Sequence, residues 1–359
     1  MKLPQLKIGD LVAELPIVLG GMGIGISGSK LAAAFANEGG IGVISGVNIG
    51  YNEPDFKTNH FMANLRALRR EIKKAKADCS QGLIGVNFMV AMNRYKDYVR
   101  AAVDEGVDLI VSGAGLPLDL PEFVKGSKTK IVPIVSSARA AGLIAKVWDK
   151  NYQVIPDAVV IEGVEAGGHL GFKPDEITAG KFSLKDTLRD VLNVLKPYEE
   201  KYQKEVPVII GGGIYTGEQI AEYLEAGASG VQMSTRFVAT QECDAAQAFK
   251  DMYINAQKED VEIIVSPVGM PGRALNNKFL QRLKEGIRPK IQNCSNCLKT
   301  CNPETTPYCI SQALICAAQG NVDDGVVFCG SNVYKVDKMS TVKQILHELV
   351  TEAEKRYKQ

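Results

Sequence analysis

Eight short runs rich in valine and isoleucine, each followed by a stretch of helical character, restrict the folds open to this chain. The runs are Leu15–Leu19, Ile41–Ser45, Leu83–Asn87, Leu109–Ser112, Ile131–Val135, Ala158–Glu162, Val206–Ile210 and Gly230–Ser234. They are apolar throughout and do not alternate strictly, which is the pattern of parallel strands in a sheet covered by helices. Helices are predicted over Ser29–Glu38, Tyr95–Glu105, Ala138–Lys146, Leu184–Tyr202 and Gly217–Ala226. Eight successive βα units predict the α/β class and a (β/α)8 TIM barrel, whose site lies where the strands' carboxyl ends meet the following loops. A doubly wound parallel sheet is the alternative.

Such barrels typically need ~250 residues, so part of this 359-residue chain is inserted or appended. The excess falls after the second strand and after Thr240. The expected organisation is a cofactor-binding barrel over 1–242, a helical, cysteine-containing lid region over 243–320, and a return segment with a C-terminal helix packing on the barrel over 321–359. The inserted stretch ends in the basic run Arg69-Arg70-Glu71-Ile72-Lys73-Lys74-Ala75-Lys76. As a helix it gathers Leu65, Leu68 and Ile72 on one face and leaves the charges to solvent.

Forty-two Lys and Arg against 41 Asp and Glu leave a net charge of +1. That balance gives no broad electrostatic reason to bind nucleic acid or an anionic membrane, and a small-molecule substrate is the expected partner. Neither a signal-peptide stretch nor a long apolar span is visible, so a cytoplasmic location is expected. In that reducing setting the eight cysteines read as thiols, metal ligands or redox groups rather than disulfides.

The sixth strand runs directly into Gly163-Val164-Glu165-Ala166-Gly167-Gly168-His169-Leu170-Gly171. Glycines there allow positive φ and close approach to a ligand, and a histidine beside them can take a proton near neutral pH. The seventh strand leads into Gly211-Gly212-Gly213, and the eighth into Gln232-Met233-Ser234-Thr235-Arg236. In barrels the loops after these two strands often bind a phosphate through backbone N–H groups. A glycine triplet alone equally makes a tight turn; two such loops side by side favour phosphate.

The ordered set Gly20-Gly21-Met22, Gly85-Val86-Asn87, Glu165-Ala166-Gly167-Gly168-His169, Gly211-Gly212-Gly213 and Gln232-Met233-Ser234-Thr235-Arg236-Phe237 resembles the nitronate monooxygenase family. That family was formerly called 2-nitropropane dioxygenase and includes the FMN-dependent enoyl-acyl-carrier-protein reductases. The likeness spans about Leu11 to Glu242 and returns from Gly320 to Gly330. It implies FMN, with Gly21 and Met22 against the ring and Asn87 at its polar edge. Gly167, Gly168, Gly212, Gly213, Gln232, Met233, Ser234 and Thr235 are then expected to hold the ribityl chain and phosphate.

His169 corresponds to the family's catalytic histidine, a base toward substrate in the monooxygenases. Glu165 is expected either to orient it or to cap the following turn. Glu162 departs from the glutamine carried there by many monooxygenases. A buried carboxylate needs a partner or a proton, so Glu162 is expected to accept from a ribityl hydroxyl or to alter the substrate site. The Ser112-Gly113-Ala114-Gly115-Leu116-Pro117 loop reads as a substrate-side wall, and Arg273 either as a binder of an anionic substrate or, the favoured reading, as half of a structural pair with an acid.

Two activities remain open. One is nitronate oxidation with oxygen as reoxidant. The other is enoyl reduction with NAD(P)H as transient reductant and an acyl carrier protein as partner; a homodimer is compatible with either. A third reading, an electron-carrying or redox-sensing flavoprotein, rests on Cys294, Cys297, Cys301 and Cys309. That spacing suits an iron–sulfur cluster, a zinc site or uncoordinated thiols.

Overall fold

The computed structural model describes residues 2–356; residue 1 and residues 357–359, the outer ends of the first and last expected regions, lie outside the described residues. Strands β1 (Ile17–Leu19), β2 (Ile41–Ser45), β3 (Leu83–Met89), β4 (Leu109–Gly113), β5 (Lys130–Val135), β6 (Val159–Glu162), β7 (Val208–Gly211) and β8 (Gly230–Met233) pair in parallel in chain order. β8 then pairs with β1, and the sheet closes. That closure decides for the barrel against the doubly wound sheet.

Both faces of each strand are buried, which is why the runs lack alternation. Val18, Ile41, Val43, Leu109, Val111, Val132, Val160 and Ile209 belong to a core cluster inside the barrel. Their strand neighbours, including Ile44, Ile110, Ile131, Ile161 and Ile210, pack outward under the helices. The inner cluster also takes Leu6, Ile8 and Ala13, from an N-terminal antiparallel hairpin, Leu6–Ile8 with Leu11–Ala13. Its polar, glycine-containing turn hid this hairpin from the sequence reading.

The helix over Leu184–Tyr202 has the predicted bounds, with Ser183 accepting from the Asp186 N–H as its cap. The helix starting at Ala138 continues past Lys146 to Tyr152, because Trp148 extends its apolar face. Trp148 is wholly buried, and its Nε1 donates to the Pro117 carbonyl at 3.1 Å. The inserted helix is His60–Asp78 and buries Ala67, Leu68 and Ile72. Its basic face is ion-paired, Arg69 with Asp104 and Glu105, and Lys73 with Glu105.

Beyond the barrel a three-stranded antiparallel sheet joins Val261–Val265, Pro271–Leu275 and Gly168–His169. It ties the loop after β6 to the appended region. The C-terminal helix Val342–Arg356 packs on the Gly217–Glu225 helix, where Glu352 accepts from the Gly217 N–H at 2.8 Å. Among the described residues, no helix is long and apolar enough to cross a membrane.

Candidate functional site

Strand register assembles the site. Gly211 on β7 lies beside Glu162 on one flank and Gln232 on the other, and Ser45 lies beside Asn87 on the opposite arc. These positions are the carboxyl ends of their strands, and they open into a cavity of about 420 Å³. Gly21, Met22, Asn87, Glu162, Gly167, Gly168, His169, Gly212, Gly213, Gln232, Met233, Ser234 and Thr235 all line it. Gly113 and Ala114, from the loop expected as a substrate wall, line it too.

Several of these glycines are glycine for steric reasons. A Cβ on Gly167 would lie 2.7 Å from the backbone carbon of Cys329, and one on Gly212 would lie 3.0 Å from the Gly163 carbonyl oxygen. Gly212 and Gly213 also hold φ of +100° and +84°, a region that side chains strain to enter. The loop after β7 therefore runs tightly against the loop after β6, with its backbone facing the cavity.

His169 sits in a strand rather than a free loop, paired with Gly272. Its Nε2 is 2.6 Å from Ser266 Oγ, and its ring meets Phe328 edge-on at 4.9 Å between centroids. Burial depresses the imidazole to about 4, so it is neutral at physiological pH. Either partner can donate in this contact: the tautomer that gives Nε2–H to Ser266 has its basic lone pair on Nδ1, and the other accepts from the serine hydroxyl and carries its proton on Nδ1. Ser266, just past a strand in the appended region, carried no sequence signal.

Glu165 does not orient His169. Its side chain leans over Gly213, and its carbonyl accepts from the Ser331 N–H at 3.2 Å. Arg273 departs from its expected pairing with an acid. Its guanidinium donates to the carbonyls of Val164, at 2.9 Å, and Ala166. It braces the glycine-rich loop from behind, and burial lowers its pKa.

Glu162 is half-buried at the end of β6 and lines the cavity. Burial pushes it up to about 7. A carboxyl raised above its ordinary 4.5 contributes stability that is full below that ordinary value and is lost as pH rises through 7. Glu162→Gln keeps the shape without the charge. In urea unfolding it is expected to match the parent at pH 4.5 and to be about 1–3 kcal/mol more stable at pH 8. A difference that does not change between the two pH values would contradict this.

Residues 328–332 return to the cavity as well. Asn332 Nδ2 donates to the Gly213 carbonyl at 2.7 Å. Ser331 Oγ is buried without a hydrogen-bond partner among the described residues. A buried hydroxyl left unpaired is costly, and this one lies beside the two glycine-rich loops. The sequence reading placed the likeness only as far as Gly330, so Ser331 was missed.

The four cysteines are not gathered into one set. Among the described residues, no group of three or more His, Cys, Asp or Glu is placed to hold a metal ion. Cys297 faces the main cavity, Cys294 is exposed, and Cys309 lines a separate surface cavity with Cys316. His60, expected merely as part of the insertion, also reaches the main cavity.

The nitronate monooxygenase family model matches residues 5–352. The (3aS,4S,5R,7aS)-5-hydroxy-7a-methyl-1-oxo-octahydro-1H-indene-4-carboxyl-CoA dehydrogenase of Rhodococcus jostii (strain RHA1) is 26% identical over 372 residues, covering 95% of this chain and 93% of that protein. A probable nitronate monooxygenase of Staphylococcus aureus (strain N315) is 25% identical over 304 residues, covering 77% of this chain and 79% of that protein. Among solved structures, FabK from Thermotoga maritima aligns with a TM-score of 0.72 at 25% identity, covering 96% of this chain and 94% of that one. The nitroalkane oxidase from Streptomyces ansochromogenes aligns with a TM-score of 0.72 at 20% identity, covering 96% and 97%, a likeness of fold alone.

Proposed function

Since the chain belongs to the nitronate monooxygenase family and is an oxidoreductase, we propose that it is FMN-dependent and oxidises nitronates or nitroalkanes, with His169 as base. The observation that carries this reading is the cavity at the barrel mouth, with glycine-rich loops on one side and a neutral histidine on another. The residues suit a flat, monophosphorylated group. Gly21 and Met22 offer contact for a ring, Asn87 an amide for its polar edge, and the 211–213 and 234–235 loops donors for a phosphate. The unpartnered Ser331 Oγ adds a hydroxyl there. Glu162 would accept from a ribityl hydroxyl.

Bound FMN would accept the substrate's electrons. The chain's own task is to bring the donor carbon to the ring and to manage a proton. His169, neutral through burial, takes a proton from the carbon beside a nitro group, at Nδ1 in the tautomer that gives Nε2–H to Ser266. The imidazolium so formed is stabilised by the negative charge that the substrate acquires. Purified protein should be yellow and release one FMN per chain on denaturation. Release of FAD alone, or a colourless protein indifferent to added FMN, would defeat the reading.

Enoyl reduction has its own supporting observation. Ile24, Phe61, Met89, Met92, Leu298 and Leu314 line the cavity, more apolar wall than a small nitronate needs. In that version NAD(P)H is the transient reductant and an acyl carrier protein or coenzyme A carries the acyl group. NADH oxidation stimulated by a crotonyl thioester favours it over nitronate oxidation.

A further inference from the structure

The two parts of the chain that exceed a bare barrel meet in the cavity and build a second polar wall there. His60 opens the inserted helix, Asn48 sits in the loop after β2, and Ser311 lies in the first turn of the Ile310–Ala318 helix. With Cys297 they form an unbroken chain. His60 Nε2 is 2.7 Å from Asn48 Oδ1, Asn48 Nδ2 is 2.9 Å from Ser311 Oγ, and Ser311 Oγ is 3.1 Å from Cys297 Sγ. All four residues line the cavity.

The chain has a direction. A carboxamide oxygen only accepts, so His60 Nε2 donates to Asn48. Asn48 in turn donates to Ser311 Oγ, and the serine hydroxyl hydrogen stays free to turn to the sulfur once the thiol has given up its own proton. That donor, in the first turn of a helix, favours negative charge on sulfur as it reacts. The backbone that carries the sulfur is held as well, because the Asn93 N–H donates to the Cys297 carbonyl at 3.0 Å and Leu298 bridges to Met92.

Cys329 also lines this cavity, from the 328–332 return, and the other six thiols lie outside its wall. Burial raises the pKa of Cys301, Cys309 and Cys316, and does so for Cys243 and Cys329. Cys79 is buried and lies outside the cavity wall. Cys294 is the exposed member of the segment.

We propose that Cys297 is a reactive, substrate-facing thiol, oriented by His60, Asn48 and Ser311, and that it adds to electron-poor alkenes conjugated to a carbonyl or nitro group. The proposal rests on the flavin-site reading only in taking this cavity as the one that receives substrate. In the step, a C–S bond forms at the β carbon as the C=C π bond breaks. The electron pair moves to the α carbon, which takes the proton released by the thiol, so no oxidant or reductant is consumed. The apolar lining around Cys297, including Phe61, Met92 and Leu298, suits the body of such a molecule.

The test is peptide mapping of flavin-loaded, thiol-reduced protein after treatment with less than one equivalent of N-ethylmaleimide, itself such an alkene. Cys297 should be modified first, about tenfold faster than Cys294 although Cys294 is more exposed. Ser311→Ala should slow Cys297 about tenfold, and Ser311→Thr, which keeps the hydroxyl, should restore it, with flavin content and unfolding midpoint as folding controls. Modification of Cys294 first overturns the proposal, as does unchanged Cys297 reactivity in a flavin-retaining Ser311→Ala protein. Should Ser311→Ala fail to fold, the labelling order in the parent decides. A parent that takes up no added FMN but in which Cys297 still leads would defeat the cofactor reading and leave the thiol assignment standing.

Discussion

Replacing His169 by alanine is expected to lower kcat/KM by about 10²–10⁴, the range for a lost acid–base group, while flavin content stays at the parent's level. The ring sits in a two-residue strand held by Pro271–Leu275, and Arg273 braces the loop before it through backbone carbonyls. Neither support uses the imidazole, so the glycine cradle should survive its removal. The lost contacts are the Ser266 hydrogen bond and the edge-on packing with Phe328. The pH–rate profile is the more specific readout, since the limb set by His169 should vanish in the variant. A correctly folded, flavin-loaded His169→Ala protein with the parent's rate and profile would make the histidine structural.

Gly212→Val should act on the opposite wall and leave a different signature. Its φ of +100° strains any side chain by about 1–3 kcal/mol, and a β-branched one most. The added Cβ would press on the backbone of Gly163 and Ala166, shifting the loop that carries His169. With donors to a phosphate lost as well, at about 1.5–3 kcal/mol for each charge-assisted bond, FMN affinity should fall by about 10³-fold. Flavin fluorescence titration reads this directly. Circular dichroism should show the barrel intact, because the change lies beyond the buried β7 residues Val208, Ile209 and Ile210. Parent-like FMN affinity would mean that the glycine loops hold nothing.

The barrel was legible because a parallel sheet covered on both faces writes itself as apolar runs, and all eight runs became strands within a few residues. The glycine-rich parts of the site were legible for a related reason: close backbone approach excludes side chains wherever it occurs. What stayed hidden was placed by tertiary contact alone. Ser266, His60 and Ser331 are single polar residues with no periodic or glycine context; His60 and Ser331 reach the cavity from an insertion and an appended segment, and Ser266 reaches His169 from another. Arg273 was read as an ion-pair partner because a buried guanidinium usually finds a carboxylate; here the curled loop after β6 offers it two carbonyls instead. The cysteine spacing was regular in sequence, but the turn before the Ile310–Ala318 helix sends Cys297 and Cys309 to different cavities.

The central claim is that this cavity passes electrons from a nitro-type carbon acid to bound FMN. Anaerobic mixing of the FMN-loaded protein with propyl-2-nitronate, followed through the visible flavin absorbance, tests it most directly. The account predicts bleaching of the oxidised flavin and recovery of colour when oxygen is admitted. A flavin that stays oxidised with the nitronate, yet is bleached by NADH and recovers on addition of a crotonyl thioester, would contradict it.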